Sequence, residues 1–144
     1  MKYSLSIQID LPREKVVELF DNPENLKLWQ PGFISAEHIS GEKGHPGSKT
    51  RLNYKMGRRE IEMIETITSR NLPEEFSGTY EAKGVWNEVK NRFEETASGT
   101  TIWYTQNEFR FEGFMKLMAM LMPGAFKRQS FKYMKLFKSF AEEG

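Results

Sequence analysis

From Phe33 to Glu112 the chain is cut by the turn-forming clusters GEKGHPGS, KMGR, RNLPEE, AKG and ASGT, and the runs between them are rich in Thr, Ile, Tyr, Phe, Val and Trp. Turns recurring between β-branched and aromatic runs specify a meander of antiparallel strands, because each hairpin needs only a short connection. The spacing predicts strands near Phe33 to Ser40, Lys49 to Met56, Glu60 to Thr68, Glu75 to Ala82, Val85 to Thr96 and Thr101 to Glu112. One more precedes them. From Tyr3 to Leu11 the apolar Tyr3, Leu5, Ile7, Ile9 and Leu11 alternate with polar residues, the pattern of a strand with one buried face.

Helical periodicity flanks this meander. Pro12 suits a first helical turn, and Val16, Val17, Leu19 and Phe20 follow at helical spacing, so a short helix is predicted over Pro12 to Asp21. A second starts at Asn22 or Pro23, carries Leu26, Leu28 and Trp29 inward, and is broken by Pro31-Gly32. Beyond Gly113 the apolar stripe runs Phe114, Leu117, Met118, Leu121, Met122 and, after Pro123-Gly124, Phe126, Met134, Phe137 and Ala141, with Ser130 among them. Pro123 is predicted to kink or divide this helix, since it removes a hydrogen bond and clashes with the preceding turn. Strand, two short helices, six-strand meander and long helix together define an α+β fold, a seven-stranded curved antiparallel sheet around the C-terminal helix. A bent sheet closes poorly on a single helix, so an internal cavity is expected. With 144 residues, 38% of them hydrophobic, the chain is expected to form one domain over 1–144.

The methionine-rich stretch MKLMAMLMPG, Met115 to Gly124, is the most apolar in the chain. Phe114 to Met122 holds one charge, Lys116, but is too short to span a bilayer, which takes about 20 apolar residues. It is read as a helix whose inner face lines the cavity, because unbranched thioethers fill irregular shapes; ordinary core packing and a surface that meets a membrane or partner are the competing readings.

Composition removes several functional classes. A net charge of +1 gives no field favouring phosphate backbones, so nucleic acid is not an expected partner. The absence of cysteine excludes disulfides, thiolate metal sites and cysteine nucleophiles. The N-terminus alternates from the start and lacks the continuous apolar run of a secretion signal, so a cytoplasmic protein is expected. GEKGHPGSKT fails as a phosphate loop, since lysine does not directly follow its last glycine and the segment leads into a strand. His38 and His45 lack metal-ligand spacing, no Gly-x-Ser-x-Gly elbow occurs, and neither cofactor nor metal is expected.

Four stretches carry a resemblance. IQIDLPREKVVELFDNPENLKLWQPG, Ile7 to Gly32, is similar to the first strand, paired helices and Trp-x-Pro-Gly exit of the START-like, helix-grip superfamily, which includes birch-pollen-allergen-like and polyketide cyclase/dehydratase-like proteins. GEKGHPGSKTRL resembles its glycine-rich turn, IEMIETITSRNLPEEFSGTYE its central hairpin, and Gly113 to Glu143 its gripping helix. The resemblance covers nearly the whole chain and implies a cavity for a hydrophobic ligand while leaving the ligand open.

Within that frame the inward positions give a candidate lining: Trp29, Ile34, Leu52, Tyr54, Met63, Glu65, Phe76, Tyr80, Asn87, Val89, Trp103, Asn107, Phe114, Met118, Met122 and Phe126. Glu65 interrupts an apolar strand face, as do Asn87 and Asn91 on another and Thr105 and Asn107 on a third; a few polar groups in an apolar pocket can orient a ligand's head. The competing reading is that bulges turn them outward, or that Glu65 pairs with an interior Arg, Tyr80 or water. Three functions follow in order: a noncatalytic carrier or sensor of a small hydrophobic molecule such as a lipid or polyketide; a cyclase or dehydratase in which Glu65, His38 or Tyr80 moves protons; and an interaction domain resembling the chaperone cofactors of the superfamily. Lys127, Arg128, Lys132, Lys135 and Lys138 make the last helix basic, which permits membrane contact but is better explained by a solvated face opposite a buried stripe.

Overall fold

The computed structural model describes residues 1–143. Its elements run β1 (Lys2–Ile9), α1 (Arg13–Phe20), a 3-10 turn (Pro23–Asn25), α2 (Leu26–Trp29), β2 (Phe33–Ser40), β3 (Lys49–Met56), β4 (Arg59–Asn71), β5 (Glu75–Ala82), β6 (Val85–Glu95), β7 (Thr101–Phe111), α3 (Phe114–Leu121) and α4 (Ala125–Glu143). The strands form one seven-stranded antiparallel sheet in the order β1-β7-β6-β5-β4-β3-β2, so the meander is sequential and β1 closes it beside β7. The predicted strands are present, with β4 longer than the spacing suggested.

The inner face follows the period of two. Tyr3, Leu5, Ile7 and Ile9 of β1 are more buried than the residues between them. Against this face lies α4, whose stripe buries Met134, Phe137 and Ala141. Exposed Lys127, Arg128, Lys132 and Lys135 point away from the sheet. Lys138 instead donates at 2.6 Å to the Gln8 carbonyl and to Glu142, clasping α4 to β1.

The core is concentrated at one end. There Ile9, Val16, Val17, Trp29, Phe93, Trp103, Met134, Phe137 and Ala141 pack as one buried cluster. Phe20 sits edge-on to Phe93, Trp103 and Phe137 at 5.2, 5.5 and 5.8 Å between centroids, the T-shaped geometry that aromatic quadrupoles favour. The helices α1 and α2 supply the bulk that closes this end. Toward the other end, α4 is held to the sheet by Phe126 against Phe109 and Phe111 at 5.0 and 4.9 Å, and by Tyr3 with Ser130 Oγ at 2.6 Å.

The chain leaves α2 through Gly32, whose φ of 76° and close approach to β3 require glycine: an added Cβ would stand 2.1 Å from the Lys55 carbonyl oxygen. The Lys55 N–H donates to the Gly32 carbonyl at 2.7 Å, which fixes β2 beside β3.

Pro123 divides the C-terminal segment into two helices. The C-cap of α3 at Met122 has φ −131° and ψ 64°, outside the helical region, and α4 begins at Ala125 with Met134, Phe137 and Ala141 buried. The stripe from Phe114 to Ala141 is therefore two separate faces.

Candidate ligand cavity

Between the sheet and α4 lies a cavity of about 1490 Å³. The aromatic cluster fills only one end, and beyond it the inner faces of β2 to β7 and the α4 residues Phe126, Gln129, Ser130 and Tyr133 border open space. Its walls come from every strand except β1 and from α1, α2, α3 and α4.

Thirteen of the sixteen residues expected to line a cavity do so: Trp29, Leu52, Tyr54, Met63, Glu65, Phe76, Tyr80, Asn87, Val89, Trp103, Asn107, Phe114 and Phe126. Ile34, Met118 and Met122 do not. A bulge between Phe33 and Ser35 shifts the β2 register and leaves Ile34 half exposed, while Ala36 and His38 beyond it face the cavity. Met118 and Met122 lie outside because α3 ends before Pro123 and lays Met115 and buried Ala119 toward the body of the protein. Gln30, Thr50, Ile61 and Tyr133 also line the space. Tyr133 sits seven residues after Phe126 on the same helical face, a spacing that marks it in the sequence; Gln30 gives no such signal.

The polar lining is organised as a rung. Strand pairing sets His38, Thr50, Glu65, Tyr80 and Asn87 in a row across β2 to β6. Within it Tyr80 Oη donates to Glu65 Oε2 at 2.8 Å. Burial raises the Glu65 carboxyl above the usual range, opposed by the Tyr80 hydrogen bond. Tyr80 is pushed well above an ordinary phenol, first by burial and then by the Glu65 charge. Both side chains are only half-buried by surface because the area they keep lies inside the cavity, walled by protein. His38 stands two strand spacings from Glu65, about 10 Å, so no proton passes directly between them.

Several other polar lining groups are also partnered. Tyr54 Oη donates to Gln30 Oε1 at 2.6 Å, Trp103 Nε1 to Asn91 Oδ1 at 2.9 Å, and Asn107 Nδ2 to Thr105 Oγ1 at 3.2 Å. The Tyr54 phenol is raised by burial, with smaller contributions from Tyr133 and Glu65. Among the described residues only Trp29 Nε1 is sealed off without a partner. Glu65 Oε1, Asn91 Nδ2 and Asn107 Oδ1, free of protein partners, therefore still reach open cavity space. Among the described residues no group of three or more His, Asp or Glu side chains is placed to hold a metal, and no helix is long and apolar enough to cross a membrane.

A curved seven-stranded sheet gripping a C-terminal helix around a large cavity defines the START-like, helix-grip class. The chain belongs to the family described as polyketide cyclase / dehydrase and lipid transport, whose model matches residues 1–139. Among solved structures it is similar to Ara h 8.0201, with TM-score 0.80 and 14% identity over 100% of this chain and 99% of that one. An aromatase/cyclase, Zhui, from a Streptomyces species superposes with TM-score 0.81 at 11% identity, covering 99% and 93% of the two chains. A START superfamily protein from Mycobacterium smegmatis gives TM-score 0.77 at 11% identity over 99% and 97%. No curated protein matches the sequence.

Proposed function

We propose that the protein binds one small hydrophobic ligand with a polar end, a lipid or polyketide-like molecule, in the cavity between sheet and α4. The observation that carries this reading is the cavity itself: about 1490 Å³ of space under a largely apolar lining, with unpartnered polar atoms of Glu65, Asn87, Asn91 and Asn107 among those reaching into it. Family membership supports it. The apolar body would rest on Leu52, Met63, Ile67, Val89 and Phe126, and the polar end would meet Glu65 or the Asn91 and Asn107 amides. Carriage requires no proton transfer, and the polar rung then serves orientation.

A second reading, a cyclase or dehydratase, is favoured by one observation, the buried Glu65–Tyr80 pair with its raised carboxyl. Such a carboxyl holds its proton to higher pH than an exposed one and is within reach of a bound substrate with which to exchange it.

Glu65→Gln separates the two. Its amide oxygen still accepts from Tyr80, so a carrier is expected to keep saturable uptake of a fluorescent fatty acid within about tenfold of wild type, the worth of one hydrogen bond. No saturable uptake by the wild type would contradict binding, and a turnover abolished by Glu65→Gln would replace the carrier with the enzyme. The same variant has a stability signature. Because the folded carboxyl is raised above its unfolded value, its contribution is fully present in acid and is lost as pH rises through the folded value. Glu65→Gln is expected to match wild type near pH 4 and to melt higher at pH 8, as thermal unfolding would show.

A further inference from the structure

The helix α3 is apolar on the side that faces solvent. Phe114, Leu117, Met120 and Leu121, with Met122 at its C-cap, are between 48% and 72% exposed. On a helix of 3.6 residues per turn, Phe114, Leu117 and Leu121 share one face with Met120 at its margin, while Met115 and Ala119 take the opposite face toward the sheet. A soluble surface rarely gathers large apolar side chains in this way without a partner.

The surroundings are cationic. Strand register brings the β3–β4 turn with Arg58 and Arg59, the β5–β6 turn with Lys83, and the end of β7 that leads into α3 to one end of the sheet. Lys116 on α3 and Lys127 and Arg128 at the start of α4 join them there. All are exposed, and among the described residues none lies in an ion pair. Glu60, Glu81 and Glu112 only partly offset them. The opposite end, around α1 and the close of α4, mixes signs, with Glu14, Glu18, Glu95 and Glu142 beside Arg13, Lys15 and Lys138.

We infer that this end of the molecule docks on an anionic lipid bilayer, with the outer face of α3 entering the headgroup region and the surrounding Lys and Arg residues meeting lipid phosphates and carboxylates. An apolar helix face rimmed by cations is the pattern of interfacial binding. A second copy fits less well, because a two-fold contact through α3 would bring two such cationic rims together. The placement also suits the cavity, since Phe114, Met115, Lys83 and Arg59 border it at the same end. A lipid could then pass between bilayer and cavity without crossing water. That last step rests on the proposed ligand binding; the docking does not. The sequence leaves membrane contact open both at the lysines of α4 and at the methionine stretch, and the exposed apolar face of α3 favours the second.

The test is flotation of the whole protein with phosphatidylcholine vesicles, with and without phosphatidylserine. Wild type is expected to bind the anionic vesicles more tightly and to be released by salt. Met120→Asp/Leu121→Asp is expected to lower that binding on the order of 100-fold with an unchanged melting temperature, because both residues are exposed. Arg58→Gln or Lys116→Gln should each cost about fivefold at low salt. Val89→Trp, which narrows the cavity, should float as wild type does, so a failure of ligand binding is told apart from a failure of docking. Equal flotation with neutral and anionic vesicles, or wild-type flotation by Met120→Asp/Leu121→Asp, would overturn the inference. So would a wild-type dimer, silent toward vesicles, that Met120→Asp/Leu121→Asp converts to a monomer.

Discussion

Val89→Trp is expected to weaken uptake of a hydrophobic ligand at least about tenfold, by occupying the mid-sheet wall on which the ligand rests, while the protein melts close to wild type. Val89 sits mid-sheet on β6, opposite Gly78 on β5 and Asn107 on β7, with its side chain in the cavity wall. An indole at that point projects into empty volume. In a close-packed interior the same enlargement would cost about 1–3 kcal/mol through forced rotamers and backbone shifts. Titration with a fluorescent fatty acid, paired with thermal unfolding, reads both sides. Weakened uptake at near-normal stability is the expected pair; unchanged uptake, or a large loss of stability, would mean that the free space is not what holds the ligand.

Phe137→Ala should have the largest effect on stability, a loss of about 3–5 kcal/mol by chemical denaturation. Phe137 has no exposed surface and meets Trp29, Phe20 and Trp103 edge-on at 5.1, 5.8 and 5.5 Å between centroids. Its ring locks α1, α2, β7 and α4 at the closed end. Truncation leaves a hole that these rings cannot jointly collapse into, because each is held by a different element. A loss below about 1 kcal/mol would show that the closed end is not the core that keeps the sheet and α4 apart.

Much of this architecture is legible in the sequence. Alternation alone places Ile61, Met63, Glu65 and Ile67 on one strand face and Val85, Asn87, Val89 and Asn91 on another, and both sets line the cavity. Regular antiparallel pairing preserves the period of two. Where pairing slips, the reading fails: Ile34 belongs by alternation with Ala36 and His38, but the Phe33–Ser35 bulge turns it out. Bulges leave no firm mark in composition. The methionine helix fails for a different reason. A helix with a single charge reads as buried, and nothing within Phe114 to Met122 says that only Met115, Met118 and Ala119 would find protein to cover them. Pro123 announces the break between α3 and α4 but not the direction taken after it. The Glu65–Tyr80 contact was one of several partners open to Glu65, and the β4–β5 register singles it out by setting the two residues opposite one another.

The most direct test of a hydrophobic ligand held inside the sheet is methyl NMR on the labelled protein during titration with a fatty acid. Saturable shifts are expected at Met63, Leu52, Val89 and Ile67, which wall the cavity, with Met120 and Leu117 on the outside of α3 little changed below the micelle concentration. Shifts confined to Met120, Leu117 and Leu121, with the interior methyls silent, would place the ligand on the surface and contradict the account.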